Sequence, residues 1–102
     1  MIGRLRRGWT AADKAEAYEE LLRTEVLPGI HRIDGYRGAY ALRREVEDGS
    51  EFVTLTLWDS MNAIRQFAGE DYETAVVPEK AQALLTRYDR TSAHYEVVLE
   101  PG

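Results

Sequence analysis

Residues 51–67, Glu51-Phe52-Val53-Thr54-Leu55-Thr56-Leu57-Trp58-Asp59-Ser60-Met61-Asn62-Ala63-Ile64-Arg65-Gln66-Phe67, constrain the fold more than any other stretch. The first eight alternate with the period of a β-strand. Phe52, Thr54, Thr56 and Trp58 share one face, and Val53, Leu55 and Leu57 share the other. Neither face is polar enough to lie against bare water. The strand therefore belongs to a sheet with helices on one side and an interface on the other. Val53, Leu55 and Leu57 can meet the helices with Phe52 and Trp58 on the far side, or the reverse. Ser60 is placed to cap the helix that follows, whose inner face is Ala63, Ile64 and Phe67, and Gly69 ends it.

The rest of the chain supplies partners for this unit. Residues 2–9 read as a first strand, with Ile2, Leu5 and Trp9 among arginines. Thr10 reads as an N-cap, and Ala12, Ala15, Tyr18, Leu22 and Val26 recur at helical spacing until Pro28-Gly29 stops the helix. Residues 36–46 form a second strand, joined to the third (51–58) by a hairpin over Glu47-Asp48-Gly49-Ser50. A further helix is expected over about 71–87, with Pro78 kinking or restarting it. Residues 92–99 close the chain as a fourth strand. The order is β-α-β-β-α-β in a single domain, residues 1–102. This is the α+β, ferredoxin-like arrangement: a four-stranded antiparallel sheet with helices on one face. A second copy is expected over the other face, making a homodimer.

Composition narrows the function classes. With 102 residues, 44% of them hydrophobic and 30% charged, the chain is an ordinary small domain. No apolar run approaches the ~18 residues needed to span a membrane. The start, Met1-Ile2-Gly3-Arg4-Leu5-Arg6-Arg7, lacks a secretory h-region. There is no Cys, hence no disulfide or thiolate site. These features point to the cytoplasm and to no membrane partner. His31 and His94 are far apart and lack metal-ligand spacing, so no metal is expected. A net charge of -5 argues against a nucleic-acid partner. Arg37-Gly38-Ala39-Tyr40-Ala41-Leu42 faintly echoes an RNA-recognition signature, but on the second strand and not the third, where it belongs. No Gly-rich fingerprint for flavin or nicotinamide is present.

The run Thr54-Leu55-Thr56-Leu57-Trp58-Asp59-Ser60, the helix Ala63-Ile64-Arg65-Gln66-Phe67 and the preceding hairpin resemble the antibiotic biosynthesis monooxygenase family of the dimeric α/β-barrel superfamily. The resemblance covers about residues 2–99. In polyketide-oxidising members it implies oxidation of an electron-rich phenol by O₂ with no cofactor, the deprotonated substrate itself reducing oxygen. Haem-degrading members carry a pocket Trp and an iron-ligating His at positions that fall here on Phe67 and Val77. No His occurs between residues 32 and 93, so the resemblance departs from the family pattern at the iron ligand. The implied function is a cofactor-independent monooxygenase acting on a small aromatic or quinol-type molecule. The alternative is a non-catalytic small-molecule-binding or accessory dimer of the same fold.

Candidate residues follow from their chemistry. His94, on the fourth strand, is a base or hydrogen-bond partner for a phenol, or a packed strand histidine. Arg4 and Arg6 share one face of the first strand, Arg7 and Trp9 the other. An inward arginine would anchor a phenolate or carboxylate; an outward one would pair with surplus acid. Tyr72 is either a hydrogen-bond donor to a quinone oxygen or a packed lid. Leu57, Trp58, Phe67 and Tyr95 are expected as apolar pocket wall, with Asn62 as a polar group at the rim. His31 is read as an exposed loop residue.

Overall fold

The computed structural model describes residues 1–101. β1 (Ile2–Thr10), β2 (Tyr36–Val46), β3 (Gly49–Trp58), β4 (Arg87–Tyr88) and β5 (Ala93–Glu96) form one antiparallel sheet. Its order is β2-β3-β1, with β4 and β5 sharing the outer edge of β1. The α-helices are α1 (Ala15–Leu21), α2 (Leu27–Ile30), α3 (Met61–Ala68) and α4 (Glu79–Leu84). This is the ferredoxin-like arrangement, with the fourth strand in two pieces.

The register decides which face of β3 meets the helices. Trp58 pairs with Ile2, Thr56 with Arg4, Thr54 with Arg6 and Phe52 with Gly8. All four β3 residues are buried, whereas Val53, Leu55 and Leu57 are only half-buried. Of the two orientations the sequence allows, the structure takes the one with Phe52 and Trp58 beneath the helices. The reason is size: the helix layer offers deep apolar cover, and the two largest rings take it. Phe52 joins Ala15, Tyr18, Leu21, Leu22 and Ala81 in one apolar cluster. Trp58 joins Ala63 and Ile64 in a second, packed by Ile2, Tyr36, Phe67 and Tyr72. Between the two lie Arg4, Arg6, Thr54 and Thr56, a polar band across an otherwise apolar layer.

Several boundaries differ from the sequence reading, each for a physical reason. Thr10 does not cap the first helix; it is the last residue of β1, opposite Ser50, and the helical stretch begins after Ala11 with no side-chain cap. Pro28-Gly29 does not stop the helix. A π turn (Leu22–Val26) precedes α2, and the Leu27 N–H bonds back to the Leu22 carbonyl. In a regular α-helix the Pro28 ring would crowd the Thr24 carbonyl. The wider turn relieves this, and Pro28 then sits at the start of a new turn, where a missing N–H costs nothing. Likewise the hairpin turn is only Glu47-Asp48, because β3 begins at Gly49, paired with Val46. Gly49 has φ +154°, and a Cβ there would collide with the Thr10 carbonyl.

The expected helix over 71–87 shrinks to α4. Val77 precedes Pro78 and is biased away from helical geometry, and Thr74, Val76 and Val77 are β-branched. Instead residues 71–74 make a turn, with the Thr74 N–H on the Asp71 carbonyl at 3.1 Å, and 75–78 lead irregularly into α4. The same segment also breaks the fourth strand. Residues 90–92 leave β1 and bond to 73–75: Ala75 N–H to Arg90 O at 2.9 Å and Ser92 N–H to Glu73 O at 2.7 Å. Asp89 stays behind on Arg7, through its own N–H and through its carboxylate at 2.9 Å from Arg7 Nε. β4 therefore pairs with the Gly8 end of β1 and β5 with the Ile2 end. No helix among the described residues is long and apolar enough to cross a membrane.

Candidate functional site

The polar band of the sheet forms the floor of a cavity of about 50 Å³. Arg4, Arg6, Thr54 and Thr56 line it from the sheet and Ser92 from the stretch before β5; Val26, Leu27, Ile30, Phe67 and Val76 line it from the helices and segment 71–78. The π turn matters here. It carries Val26 and Leu27 into the layer next to each other, and a π turn inside a helix often marks a functional site. Leu27 also bounds a second cavity of about 250 Å³, with Leu22, Phe52, Ala41, Arg43, Glu19 and Arg23. Leu27 is thus common to the linings of both.

Arg4 is the hub of the floor and only 5% exposed. Its Nη1 donates to the Tyr72 carbonyl at 2.5 Å and to His94 Nε2 at 2.8 Å, and its Nη2 to the Thr74 carbonyl at 3.2 Å. These bonds tie β1 to segment 71–78 and to β5, where the fourth strand is interrupted. A guanidinium only donates, so Nε2 is the acceptor and the ring proton of His94 sits on Nδ1. Burial, and then the Arg4 charge, push the His94 pKa below its ordinary 6.5, with Glu73 opposing. Burial, and then Arg6, lower that of Arg4. Arg4 also stands over the Phe67 ring, 5.7 Å from its centroid.

Arg6, 8% exposed, donates from Nη2 to the Tyr18 hydroxyl at 3.3 Å. Its Nη1 is buried with no hydrogen-bond partner. Neither Arg4 nor Arg6 has a carboxylate within ion-pair distance among the described residues. By contrast Arg7, Arg23, Arg37, Arg43, Arg44 and Lys80 all do.

The structure brings together Arg4, Arg6, His94, Tyr72 and Phe67 of the residues singled out from sequence. Tyr72 contributes its carbonyl, while its ring meets His94 edge-on at 5.5 Å and lies under Arg65. Trp58 is a support and not a lining residue. It is fully buried, stacks on Phe67 at 5.3 Å and donates from Nε1 to Thr56 Oγ1 at 2.8 Å. Leu57 and Tyr95 lie on the opposite face of the sheet, because the register puts Leu57 beside Gly3 and Tyr95. Asn62 is exposed on α3, since the buried side of that helix is Ala63 and Ile64. The lining residues Val26, Leu27, Ile30, Val76, Ser92, Thr54 and Thr56 were not singled out. Only the Thr54/Thr56 pair signalled itself, as hydroxyls between two aromatics on one strand face.

The resemblance to haem-degrading proteins does not extend to the site. The ligand position is Val77, which packs on the Phe52 cluster. Among the described residues no group of His, Cys, Asp and Glu is arranged to hold a metal. A cavity of about 50 Å³ is also far below the size of a porphyrin.

Comparison with known proteins agrees with this fold. The family model for antibiotic biosynthesis monooxygenase matches residues 1–79. No curated protein matches the chain in sequence. Among solved structures, one from Deinococcus radiodurans named for the same family is 15% identical, with TM-score 0.71, over 100% of this chain and 97% of its own. SnoaB, a cofactor-independent oxygenase from Streptomyces nogalater, is 16% identical, with TM-score 0.70, over 97% of this chain and 94% of its own. MhuD, a heme-degrader from Mycobacterium tuberculosis with two hemes bound in its active site, is 18% identical, with TM-score 0.64, over 100% of both chains. At these identities the likeness is one of fold.

Proposed function

The chain belongs to the antibiotic biosynthesis monooxygenase family, and from that premise we propose that it is a cofactor-independent monooxygenase of a small aromatic, quinol-type substrate. The observation that carries this reading is the cavity's division into a cationic floor, Arg4 and Arg6, and an apolar roof, Val26, Leu27, Ile30, Phe67 and Val76. Oxidation by O₂ without a cofactor needs the substrate as its phenolate or enolate. The carbanion-like ring then gives up its electrons; one oxygen atom enters the ring and the other leaves as water. Two guanidiniums in a poorly solvated site lower the cost of that anion, as preorganised charge does elsewhere. The apolar roof holds the ring and excludes water.

The other polar groups act through Arg4. His94 accepts from Nη1, and the Tyr72 and Thr74 carbonyls accept from Nη1 and Nη2. They are positioning groups, keeping the guanidinium aimed across the floor. Room for a ring comes from Leu27: turned aside, it joins the two cavities into ~300 Å³, the lower end of the ligand-pocket range. A second copy of the chain over the open sheet face completes the assembly in this reading, as a homodimer.

The test is oxidation of a hydroxyanthrone and hydroquinone panel under O₂. Turnover above autoxidation, lost at least tenfold in Arg6→Met, is expected. A rate equal to the protein-free control across the panel would end this reading. A second reading, a non-catalytic binder of the same fold, is favoured by one observation: the cavity holds only about 50 Å³ with Leu27 in place. Saturable binding of the panel without turnover would establish it.

A further inference from the structure

We propose that the ion pairs at the rim of the larger cavity are a charge filter: substrate reaches the cationic floor through the crevice between β2 and the π turn, and it enters uncharged. The proposal rests on the reading of the floor as a substrate site, and it fixes the form in which that substrate arrives. The cavity of about 250 Å³ is apolar within, where Leu22, Leu27, Ala41 and Phe52 line it, and charged at its rim, where Glu19, Arg23 and Arg43 do. Arg23, Ala41 and Arg43 are exposed, so this space opens to solvent. Leu27 also lines the smaller cavity above Arg4, so the two spaces share one side chain.

The rim is not neutral. Arg43 pairs with Glu16, Glu19 and Glu45, and Arg23 with Glu19 and Glu20. Four carboxylates thus surround two guanidiniums, an excess of two negative charges. Arg43 stands over the Phe52 ring, 5.7 Å from its centroid, which seats this network on the crevice wall. The floor carries the opposite sign, since Arg4 and Arg6 are buried cations with no acid paired to them among the described residues. Unfiltered, such a floor would draw small anions from solution whatever their shape. The acidic rim works against that. A ready-made anion meets repulsion before it meets the floor, while a phenol, un-ionised at pH 7, meets none. The anion that the floor stabilises is then one formed inside. Because the rim is exposed, salt screens its field, whose reach is roughly 8 Å at physiological ionic strength. The filter therefore acts on the rate of entry and fades as salt is raised.

2-Naphthol and 2-naphthoate, alike in shape but neutral and anionic at pH 7, test this by stopped-flow association with the intact chain, followed on the probe's own fluorescence. The naphthoate is expected to enter about tenfold more slowly at low salt and to gain on the naphthol as salt rises. Glu19→Gln/Glu45→Gln, which brings the rim to neutrality, should speed the naphthoate about tenfold and leave the naphthol unchanged. Glu96→Gln/Glu100→Gln removes the same charge outside the crevice and should change neither rate. Naphthoate entry as fast as naphthol entry at low salt, or an unchanged naphthoate rate in Glu19→Gln/Glu45→Gln, would overturn the proposal. So would an equal gain from Glu96→Gln/Glu100→Gln, which would assign the effect to the net charge of the whole chain. If Glu19→Gln/Glu45→Gln does not fold, the salt series on the wild type decides by itself. Binding of neither probe would overturn the filter together with the site it guards. Discrimination of the two probes without oxidation of any phenol would defeat the oxygenase reading alone. Oxidation of phenols with no discrimination would defeat this proposal alone.

Discussion

Arg4 and His94 hold each other in place, and the pair makes stability depend on pH. Nε2 of His94 is occupied by a donor that cannot accept. Protonating the ring would set two donors and two positive charges against each other. The folded pKa lies below the ordinary 6.5, by burial first and the Arg4 charge second. In the window below 6.5 the unfolded chain therefore binds more protons than the folded one, and stability rises with pH there. The contribution is complete above about pH 6.5 and is lost as pH falls toward the folded value. His94→Gln keeps an acceptor for Arg4 but cannot titrate. Melting temperatures from about pH 8 down to about pH 5 should show the wild type losing ground to this variant below about pH 6.5. A wild-type-minus-variant difference constant over that range would show that His94 does not titrate differently on folding.

At the scale of elements, the π turn is the most consequential departure from regular structure. It lets the helix continue past Pro28 and seats Leu27 between two cavities. Leu27→Ala should join them. Leu27 is half-buried, so the cost in stability should sit near the low end of the ~2–5 kcal/mol typical of buried Leu→Ala changes, read from urea unfolding. Affinity for aromatic ligands should rise at the same time. A variant that loses stability without binding them better would mean that Leu27 is only packing. Much of the architecture that frames this site is legible in the sequence, and some is not. Phe52, Thr54, Thr56 and Trp58 announce a strand by their period of two, and Ser60 announces the next helix; its hydroxyl does accept from the Ala63 N–H at 3.2 Å. Arg4 and Arg6 read as one face of a strand for the same reason. Which face of β3 turns inward is not legible, because both are half apolar, and so Leu57 and Tyr95 were expected at a cavity they do not reach. The passage of a helix through Pro28-Gly29 is hidden too, since those residues spell a stop unless the turn before them widens. The broken fourth strand depends on residues 73–75 competing with β1 for 90–92, a long-range choice with no local mark.

At the scale of the molecule, the two faces of the sheet carry different tasks. The helix-covered face holds the site. The open face presents Tyr40, Leu42 and Tyr95, each more than half exposed, around half-buried Leu5, Val53, Leu55 and Leu57. A contiguous apolar surface of this kind on so small a chain calls for cover. Leu55 lies at its centre, directly opposite Leu5 on one side and Tyr40 on the other. If a second copy supplies the cover, Leu55→Glu places two desolvated carboxylates in the middle of the interface and should split it. Light scattering at micromolar concentration should then give twice the 11.6 kDa chain mass for the wild type and the single chain mass for the variant. A wild type that runs at the single mass would refute the dimer directly. The same variant separates assembly from activity. Leu55 points away from Arg6 on the neighbouring strand, which pairs with Thr54 on the covered face. A monomeric Leu55→Glu chain should therefore still oxidise the phenol panel as the wild type does. Loss of that activity together with the dimer would mean that the floor of the cavity is held in shape by the partner copy through the sheet.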